Sequence, residues 1–505
     1  MAMRRGCLLY LFLGVYGLYA QQFPVLSLQR FYDNLGDDIP AKILRSNDAQ
    51  LLIGGTTWYT QPSGEEGANI YIIKLGIDGE LIWERDIAIN GYQELRDMSL
   101  SPGGEIVFVG VSNSMINHEE AGGDTYWGDF IVGKLDTFGQ VIWLQSYGGR
   151  NLDQAYAVSA ISPDGYVIAG GTHSTDGDIL NHYGMSDAWV LQIDEEGEKG
   201  FSKNYGGAQN EWITSIASCK NGDFLLTGFT NSTDLSREAI SSYGNGFLIR
   251  ITANGDLRWH KVFACPDGGY FTDVVEAKDE AIFVVGNKVV EKQGKQFWWM
   301  CLKPNGEVLF EKIAPGPNDE RLETVTACSD GGFLMGGYGH SKGLNGPFTK
   351  GRDDFWLVRT DMDGEVIWRK TYGGPNDERC YDLLEYSPGV YYAVGSKYND
   401  FQEGKDLGKD FWLIKIEEYS CEDLEVDIFV RAPKFRVRRN QAVRFRARHT
   451  YGDRFYWNFG DGTTSKEEQP LKVYEYPGVY QVSLSVYTNE ACHKTVWLPK
   501  SLKVD

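Results

Sequence analysis

Two histidines and two aspartates share one short stretch of this chain and are the first residues to consider for metal chemistry. His173 and His182 flank Asp176 and Asp178, and imidazole and carboxylate groups are common ligands of divalent metals. No second set of ligands repeats this arrangement elsewhere in the chain. The pattern therefore favours a solvated loop, and we predict neither a metal site nor a cofactor.

Four carboxylates recur at one place in successive copies of a repeat, after the turn that ends its second strand. They are Asp153, Glu211, Asp319 and Asp377. A carboxylate at a repeated position typically caps a turn by accepting backbone N–H bonds, whereas a catalytic acid–base pair would occur once. The sequence also contains no GxSxG, HExxH or P-loop signature. We therefore predict no catalytic residues and no enzymatic activity.

The repeat that carries these residues begins with a short aromatic or apolar strand. Its seven copies start at Asn69, Asp129, Asp187, Asn245, Gln296, Asp354 and Asp410. The steps between starts are 60, 58, 58, 51, 58 and 56 residues. A period of this length with several short strands per copy is typical of a β-propeller. The sequence predicts an all-β fold with a seven-bladed propeller.

Within one copy, turns rich in glycine separate four strands, and Asn221-Gly222 is a strong hairpin signal. An aromatic residue follows the first hairpin glycine by four positions, and we expect it to wedge between neighbouring blades. These aromatics are Trp83, Trp143, Trp259, Phe310 and Trp368. The longest loop follows the fourth predicted strand, so we place it between blades. The closing blade would then take three strands from the N-terminal end, from Val25–Phe31 onward, and an inner strand from Phe411–Ile416.

The ends of the chain suggest an exported protein with two domains. Residues 1–20 have the charged start, apolar centre and small final residue of a signal peptide. We predict the propeller over residues 21–420 and a second domain over 421–505, with no membrane span. The net charge is −21, and residues 422–505 carry +3, which leaves −24 on the remainder. An acidic ring argues against nucleic acid as a partner.

The second domain resembles the polycystic-kidney-disease (PKD) family. The resemblance is carried by the run Trp457-Asn458-Phe459-Gly460-Asp461-Gly462, followed by Pro477-Gly478-Val479-Tyr480. It implies an immunoglobulin-like β-sandwich that mediates contacts or acts as a spacer. Cys421 and Cys492 flank the domain and are the candidate disulfide in an oxidising compartment, and both the paired and the unpaired state stay open.

This domain also carries a cluster of basic residues. Its members are Arg431, Arg436, Arg438, Arg444, Arg446 and Arg448. On alternating strands such residues would line a solvated face, and the alternative is a docking patch for an acidic partner.

The signal segment, the glycine-rich propeller and the PKD module together resemble exported envelope proteins of the Bacteroidota. That resemblance implies a non-enzymatic interaction protein of the periplasm or outer membrane. It would dock on or plug an integral outer-membrane barrel, such as the translocon of type IX secretion. The sequence shows no C-terminal sorting domain after the PKD-like region, so we expect a resident of the envelope and not exported cargo. The alternative is a cell-surface propeller that binds or degrades glycans. In that case exposed loop aromatics would stack on sugars: Tyr126, Trp127, Tyr183, Tyr243 and Phe348.

Overall fold

A computed structural model shows an all-β protein. It describes residues 22–34, 36–60, 66–89, 91–113, 128–161, 165–236, 241–314, 319–339, 353–398, 408–420, 423–450, 452–488 and 493–505. These residues contain no α-helix, and the 3-10 turns Thr233–Leu235 and Pro433–Phe435 are short. None of the described helical segments has the length and hydropathy needed to cross a membrane. The proposed signal peptide, residues 1–20, lies outside the described residues.

The chain divides into two compact units. One is Leu26–Glu417, and the other contains the described residues of Glu418–Asp505. The first unit is built from seven four-stranded sheets, as the repeat predicts.

Each of the seven blades runs from an inner strand to an outer strand. Blade 1 contains β2 (Asp37–Arg45), β3 (Leu51–Thr60), β4 (Glu66–Leu75) and β5 (Leu81–Ile87). Blade 2 contains β6 (Gln93–Leu100), β7 (Ile106–Ser112), β8 (Asp129–Leu135) and β9 (Val141–Tyr147). Blade 3 contains β10 (Asp153–Ile161), β11 (Gly165–Thr172), β12 (Asp187–Ile193) and β13 (Lys199–Tyr205). Blade 4 contains β14 (Glu211–Ser218), β15 (Phe224–Thr230), β16 (Asn245–Ile251) and β17 (Leu257–Phe263).

The remaining three blades follow the same order. Blade 5 contains β18 (Gly269–Glu276), β19 (Ile282–Val290), β20 (Gly294–Leu302) and β21 (Val308–Ala314). Blade 6 contains β22 (Glu320–Ala327), β23 (Phe333–Gly339), β24 (Asp354–Thr360) and β25 (Val366–Tyr372). Blade 7 contains β26 (Glu378–Ser387), β27 (Val390–Tyr398), β28 (Lys409–Ser420) and β1 (Gln22–Tyr32).

Blade 7 corrects the predicted ring closure. It takes three strands from the C-terminal end and only its outer strand, β1, from the N-terminal end. The predicted C-terminal inner strand, Phe411–Ile416, belongs to β28, which is the third strand. The prediction was wrong because a repeat has no intrinsic starting point. The long loops join the second and third strands of one blade, as between β11 and β12, and not two blades.

Hydrophobic cores between neighbouring blades hold the ring together. The second and third strands of a blade are almost wholly buried, as in β7 and β8, whereas outer strands such as β9 are half-exposed. One such core closes the ring by joining blade 7 to blade 1, and it includes Ile53, Tyr71, Val394 and Phe411. Because burial of each large apolar side chain contributes about 1.5–3 kcal/mol, these cores are the main source of stability.

The hairpins between third and outer strands are built as the sequence predicts. Asp136 accepts the N–H groups of Phe138 and Gln140 at 2.9 and 2.8 Å, so its carboxylate fixes the turn. The aromatic residues that follow these turns contact the next blade. The indole N–H of Trp143 donates to the carbonyl of Glu195 at 3.1 Å, which confirms their position between blades.

A polar residue at the start of each of five inner strands accepts the N–H of the residue four positions earlier. The donors and acceptors are Asn34 to Asp38, Ile89 to Gln93, Gly149 to Asp153, Gly207 to Glu211 and Gly374 to Glu378. This confirms Asp153 and Glu211 as turn caps. Asp319 and Asp377 lie one residue before the position that caps the turn, which Glu320 and Glu378 occupy in these strands. They accept the N–H groups of Lys295 and Asp353 instead.

The C-terminal unit forms a β-sandwich around a core that includes Trp457 and Phe445. Its strands are β29 (Val426–Val430), β30 (Arg436–Val437), β31 (Ala442–His449), β32 (Arg454–Asn458), β33 (Thr464–Ser465), β34 (Leu471–Val473), β35 (Gly478–Tyr480), β36 (Ser483–Tyr487), β37 (His493–Trp497) and β38 (Leu502–Val504). They pair in three sheets, ordered β29-β31-β34, β30-β38-β35 and β33-β32-β36-β37.

Glu320 provides a test of how the buried acids at the blade junctions affect stability. It is 1% exposed, and both carboxylate oxygens lack a hydrogen-bond partner. Burial raises its pKa to about 7, against the charge of Arg369. Its contribution to stability is therefore present below the pKa of an unfolded glutamate, near 4.5, and is lost as the pH rises through about 7.

We expect Glu320→Gln to stabilise the propeller at pH 8 by about 2–3 kcal/mol and to have little effect at pH 4, because glutamine cannot ionise. Denaturant unfolding followed by tryptophan fluorescence at both pH values measures the difference. Glu291→Gln, at a side chain that is 76% exposed, is the control and should have no effect at either pH. An equal effect of Glu320→Gln at both pH values would contradict this account.

Candidate functional site

The channel at the centre of the propeller is shaped by a bulge at the same place in every inner strand. In β6, for example, the pairing with β7 shifts between Leu95 and Asp97, so Arg96 is the extra residue. The same shift occurs in the other six inner strands. A bulge re-aims the residues around it, and here it generates two sets of seven side chains. The bulged residues are Ala41, Arg96, Tyr156, Thr214, Thr272, Glu323 and Tyr381.

The residues that follow the bulges form a ring, polar at six of its seven positions, which we call the waist. They are Lys42, Asp97, Ala157, Ser215, Asp273, Thr324 and Asp382. Its three aspartates each accept a backbone N–H from the next blade and so join successive inner strands. These contacts are Val158 to Asp97 at 2.9 Å, Val325 to Asp273 at 2.8 Å and Ile43 to Asp382 at 2.8 Å.

Lys42 is the cation of the waist. Its ammonium lies 3.5 Å from Asp97 and 3.7 Å from Asp382. Burial alone would lower the pKa of Lys42, but the charges of Asp382, Asp97 and Asp273 outweigh it and raise that pKa above its usual range. Thr324 and Ser215 complete the ring by donating hydroxyl hydrogen bonds to these aspartates. The waist is therefore a structural network in which one ammonium group is shared among three carboxylates.

The bulged residues surround a cavity of about 350 Å³, which we call the mouth. Aromatic rings supply much of its wall, and they include Trp58, Tyr156, Tyr270 and Tyr381. A cavity of this size with aromatic walls and a few polar groups has the form of a small-ligand site.

Two acidic side chains of the mouth have different environments. Glu94 forms an ion pair with Arg96, whose guanidinium lies 5.5 Å from the centre of the Tyr156 ring. Glu323 has no hydrogen-bond partner in the described part of the chain. Burial raises its pKa to about 7, against the charges of Arg321, Arg379 and Lys295. Near neutral pH it can therefore offer either a proton or a lone pair to a ligand hydroxyl.

The histidine-containing stretch does not form a ligand set. Asp176 accepts the N–H of Arg150 at 2.9 Å, and Asp178 forms an ion pair with Lys199. His173 bonds the carbonyl of Met185, and His182 lies 3.4 Å from Asp187. These side chains have separate structural partners and are half-buried.

The predicted arginine patch is only partly assembled on one surface. In β31, Val443, Phe445 and Ala447 enter the core while three arginines alternate with them on the exposed face. These three, which we call the arginine face, are Arg444, Arg446 and Arg448. By contrast, Arg436 belongs to another sheet, with Arg438 just beyond its strand, and Arg431 follows the last residue pair of β29.

Exposed apolar side chains border the arginine face. Phe429, which is 48% exposed, pairs with Arg446, and Leu471, 58% exposed, pairs with Arg444. The guanidinium of Arg448 lies 5.3 Å from the centre of the Phe429 ring. The result is a cationic surface with apolar margins on one sheet of the sandwich.

Five cysteines in the described residues are buried and free: Cys219, Cys265, Cys301, Cys328 and Cys380. The candidate disulfide partners, Cys421 and Cys492, lie outside the described residues. So do three of the loop aromatics, Tyr126, Trp127 and Phe348. The other two, Tyr183 and Tyr243, are 56% and 85% exposed.

Comparison with protein families assigns the sandwich. Residues 430–496 match the model of the PKD domain. The C-terminal unit contains a PKD domain. Lys472 forms an ion pair of 2.6 Å with Asp461 of the motif. No curated protein matches the chain.

Several solved structures are similar to the chain at low identity. A protein of unknown function from Dyadobacter fermentans is 11% identical with a TM-score of 0.42, over 78% of this chain and 99% of that one. The extracellular domain of a putative one component system from B. thetaiotaomicron is 10% identical with a TM-score of 0.40, over 94% of this chain and 60% of that one. Drosophila Plexin A in complex with Semaphorin 1b is 10% identical with a TM-score of 0.43, over 78% and 87%. These likenesses carry no statement about function.

The waist was not found from the sequence, although a signal for it exists. In six of the seven inner strands two buried residues lie three positions apart, such as Leu95 and Met98 or Phe271 and Val274. In β14 the second residue of the pair, Ile216, is partly buried. This spacing breaks the two-residue alternation of a regular strand. Aligning the repeats on that spacing would have brought Lys42 and the aspartates into one column.

Lys42→Met tests the waist. Lys42 is 32% exposed, whereas its partners Asp97 and Asp382 are 13% and 7% exposed. Its removal leaves these carboxylates without their cation, so we expect a loss of about 1–3 kcal/mol in propeller stability at pH 7.5. The loss should shrink at pH 4.5, where Asp97 and Asp273, whose pKa values burial raises, take up protons more readily. Thermal unfolding, monitored by circular dichroism, measures the stability of the variant at both pH values. Lys292→Met, at an 86% exposed side chain, should match wild type, and an equally stable Lys42→Met variant would contradict the assignment.

Proposed function

We propose that this protein is an exported, non-enzymatic binding subunit of the cell envelope, which contacts an acidic partner protein through its PKD domain. The arginine face is the observation that carries this proposal. The signal-like character of residues 1–20 supports export.

The composition of the arginine face suits a protein interface. Arginine and aromatic residues are enriched at such interfaces, and a few of them usually supply most of the binding energy. Within the described residues, Arg444 and Arg446 have no ion-pair partner, so their charges are available to a partner. Their face is also the cationic part of a chain with a net charge of −21. Complementary charge would favour encounter with an acidic surface.

Binding rather than catalysis is supported by how the buried acids are used. The aspartates of the waist accept backbone N–H groups, and the acids that begin the inner strands cap turns. The finer proposal is that the partner is an integral outer-membrane barrel, such as the type IX secretion translocon, on which the protein docks or which it plugs. This part draws on the resemblance to Bacteroidota envelope proteins and on the broad loop-lined face that a propeller offers.

The first test is recovery of a partner from native membranes. We expect the wild-type protein to recover an integral outer-membrane barrel in near-stoichiometric amount. The triple variant Arg444→Glu, Arg446→Glu and Arg448→Glu should lose most of it, at least tenfold, because the reversed charges would repel an acidic surface. Quantitative mass spectrometry of the recovered proteins measures the ratio.

The matched control reverses three other exposed cations of the same domain: Lys466, Lys494 and Lys500. It makes the same change in net charge and should bind as wild type does. Equal recovery by the arginine variant and the control, or recovery of no barrel by the wild-type protein, would contradict the proposal.

A second candidate function, glycan binding, is favoured by the mouth. Its aromatic rings offer stacking surfaces for sugar rings, and Glu94, Arg96 and Glu323 offer hydrogen-bonding groups for hydroxyls. This would place recognition in the channel rather than on Tyr183 and Tyr243 of the loops.

Affinity electrophoresis in gels that contain defined plant or bacterial polysaccharides tests this candidate. If the mouth binds sugar, Trp58→Ala and Tyr270→Ala should each weaken retardation about tenfold, since a lost stacking contact is worth on the order of 1 kcal/mol or more. Tyr243→Ala should have no effect. A loss with Tyr243→Ala alone would point to the loops, and no retardation of the wild-type protein would remove the candidate.

A further inference from the structure

Cations are gathered on one side of the mouth. Ile39, Glu94 and Tyr270 line the mouth, and each lies two positions before the bulged residue of its inner strand. In blades 6 and 7 the same position holds Arg321 and Arg379. Because these strands share one register, the two arginines lie side by side at the edge of the cavity.

One tyrosine contacts both arginines. The guanidinium of Arg379 lies 4.5 Å from the centre of the Tyr338 ring, and that of Arg321 lies 5.8 Å from it. Arg321 also donates to the Tyr338 hydroxyl at 3.3 Å. Arg379 is neutralised by Asp353, which lies 2.6 Å away. Within the described residues Arg321 has no ion-pair partner, so its charge is available to a ligand.

Lys295 of β20 adds a third cation. Its ammonium lies 5.4 Å from the centre of the ring of Tyr270, a wall residue of the mouth. No carboxylate in the described part of the chain forms an ion pair with it. Burial and the charge of Arg321 lower the pKa of Lys295, although Asp319 and Glu323 act in the opposite direction. The surroundings therefore disfavour its positive charge, and an anion beside Lys295 and Arg321 would reverse that effect.

Glu323 is the acid that an anionic ligand would approach in the mouth. Burial raises its pKa to about 7, although the charges of Arg321, Arg379 and Lys295 lower it. Below that pH it is largely protonated, and a protonated carboxyl group can donate a hydrogen bond to an anion. The other titratable groups that interact with its charge stay neutral at this pH, because burial raises the pKa of each: Tyr270, Tyr338, Cys380 and Tyr381.

Two features of the mouth together define the ligand. Its aromatic walls offer stacking surfaces for sugar rings. Guanidinium and ammonium groups bind carboxylates through charge-assisted hydrogen bonds. A neutral sugar would leave Arg321 and Lys295 unmatched, and a small inorganic anion would leave the aromatic walls unused. A sugar ring that carries a carboxylate uses both.

We propose that the mouth binds an acidic sugar, with the ring stacked on its aromatic walls and the carboxylate held by Arg321 and Lys295. This rests on glycan binding by the mouth, the second candidate function, and adds the charge of the ligand. Protonated Glu323 donates a hydrogen bond to the same carboxylate. Because an ionised Glu323 would repel the ligand, binding weakens as the pH rises through about 7.

The test is isothermal titration of the full mature chain at pH 6. The probes are oligosaccharides that contain galacturonate, mannuronate or glucuronate, each paired with its methyl ester, which keeps the sugar rings and removes the charge. We expect at least one acid to bind, and to bind at least about tenfold more tightly than its ester, since charge-assisted hydrogen bonds are about twice as strong as neutral ones. The affinity for that acid should fall severalfold between pH 6 and pH 8.

Arg321→Gln and Lys295→Gln should each lower the affinity for the acid at least about tenfold and leave the affinity for the ester nearly unchanged. The ester and the unfolding midpoint report whether the mouth of each variant is intact. Glu323→Gln, which cannot ionise, should bind the acid as tightly at pH 8 as at pH 6. Lys292→Gln, at an 86% exposed side chain just before β20, makes the same change in charge as Lys295→Gln and should match wild type.

The outcomes separate this proposal from the candidate function on which it rests. Equal affinity for acid and ester would overturn the charge preference and leave glycan binding in place. No binding of any acid would also overturn it; retardation by neutral polysaccharide would then still support glycan binding, and its absence would remove both. An unchanged preference for the acid in both Arg321→Gln and Lys295→Gln would overturn the assignment of the site.

Discussion

The bulge shared by all seven inner strands is the constraint on which the channel depends. One extra residue per strand turns two neighbouring side chains toward the axis at different depths. The first set surrounds the mouth, and the second forms the waist. Because the inner strands repeat the same register, a substitution at one of these positions acts on a ring of seven side chains. Lys42 then matters to blades 2 and 7 as well as to its own, through Asp97 and Asp382.

Buried acids form many of the polar contacts between blades. An acid that accepts a backbone N–H from a turn fixes the entry of the next inner strand, as Asp153 and Glu211 do. The cost is desolvation, which appears as raised pKa values at Asp153, Glu211 and Glu378. Neutralisation by a proton, a lysine or a metal ion offsets that cost. The waist uses Lys42 for this purpose, because its ammonium lies 3.5 Å from Asp97 and 3.7 Å from Asp382.

Much of the architecture could be predicted from the sequence, and the errors have physical causes. The period predicts seven blades because each copy contributes one sheet. A period does not show which strand is innermost, so Phe411–Ile416 was predicted as an inner strand although it belongs to the third strand of blade 7. Alternation of arginine with Val443, Phe445 and Ala447 indicated one exposed face. Glu320 and Glu378 were missed in favour of their neighbours because the repeats were aligned on turns. The mouth and the waist depend on the bulge in each inner strand. A prediction that assumes regular two-residue alternation along a strand does not detect such a bulge.

The placement of charge also limits how such a molecule can bind. At the waist, Lys42 contacts acids of two blades and is stabilised by the charge of Asp273 of a third. The polar groups at the waist therefore interact with one another. Groups that remain available lie elsewhere: Glu323 at the mouth, and the arginines of the PKD domain. The two surfaces also differ in kind, since the arginine face is an exposed strand surface with apolar margins and the mouth is a cavity with aromatic walls. A single ligand chemistry does not fit both surfaces. A partner protein held by the arginines and a small polar ligand held in the mouth would therefore be recognised through different chemistry.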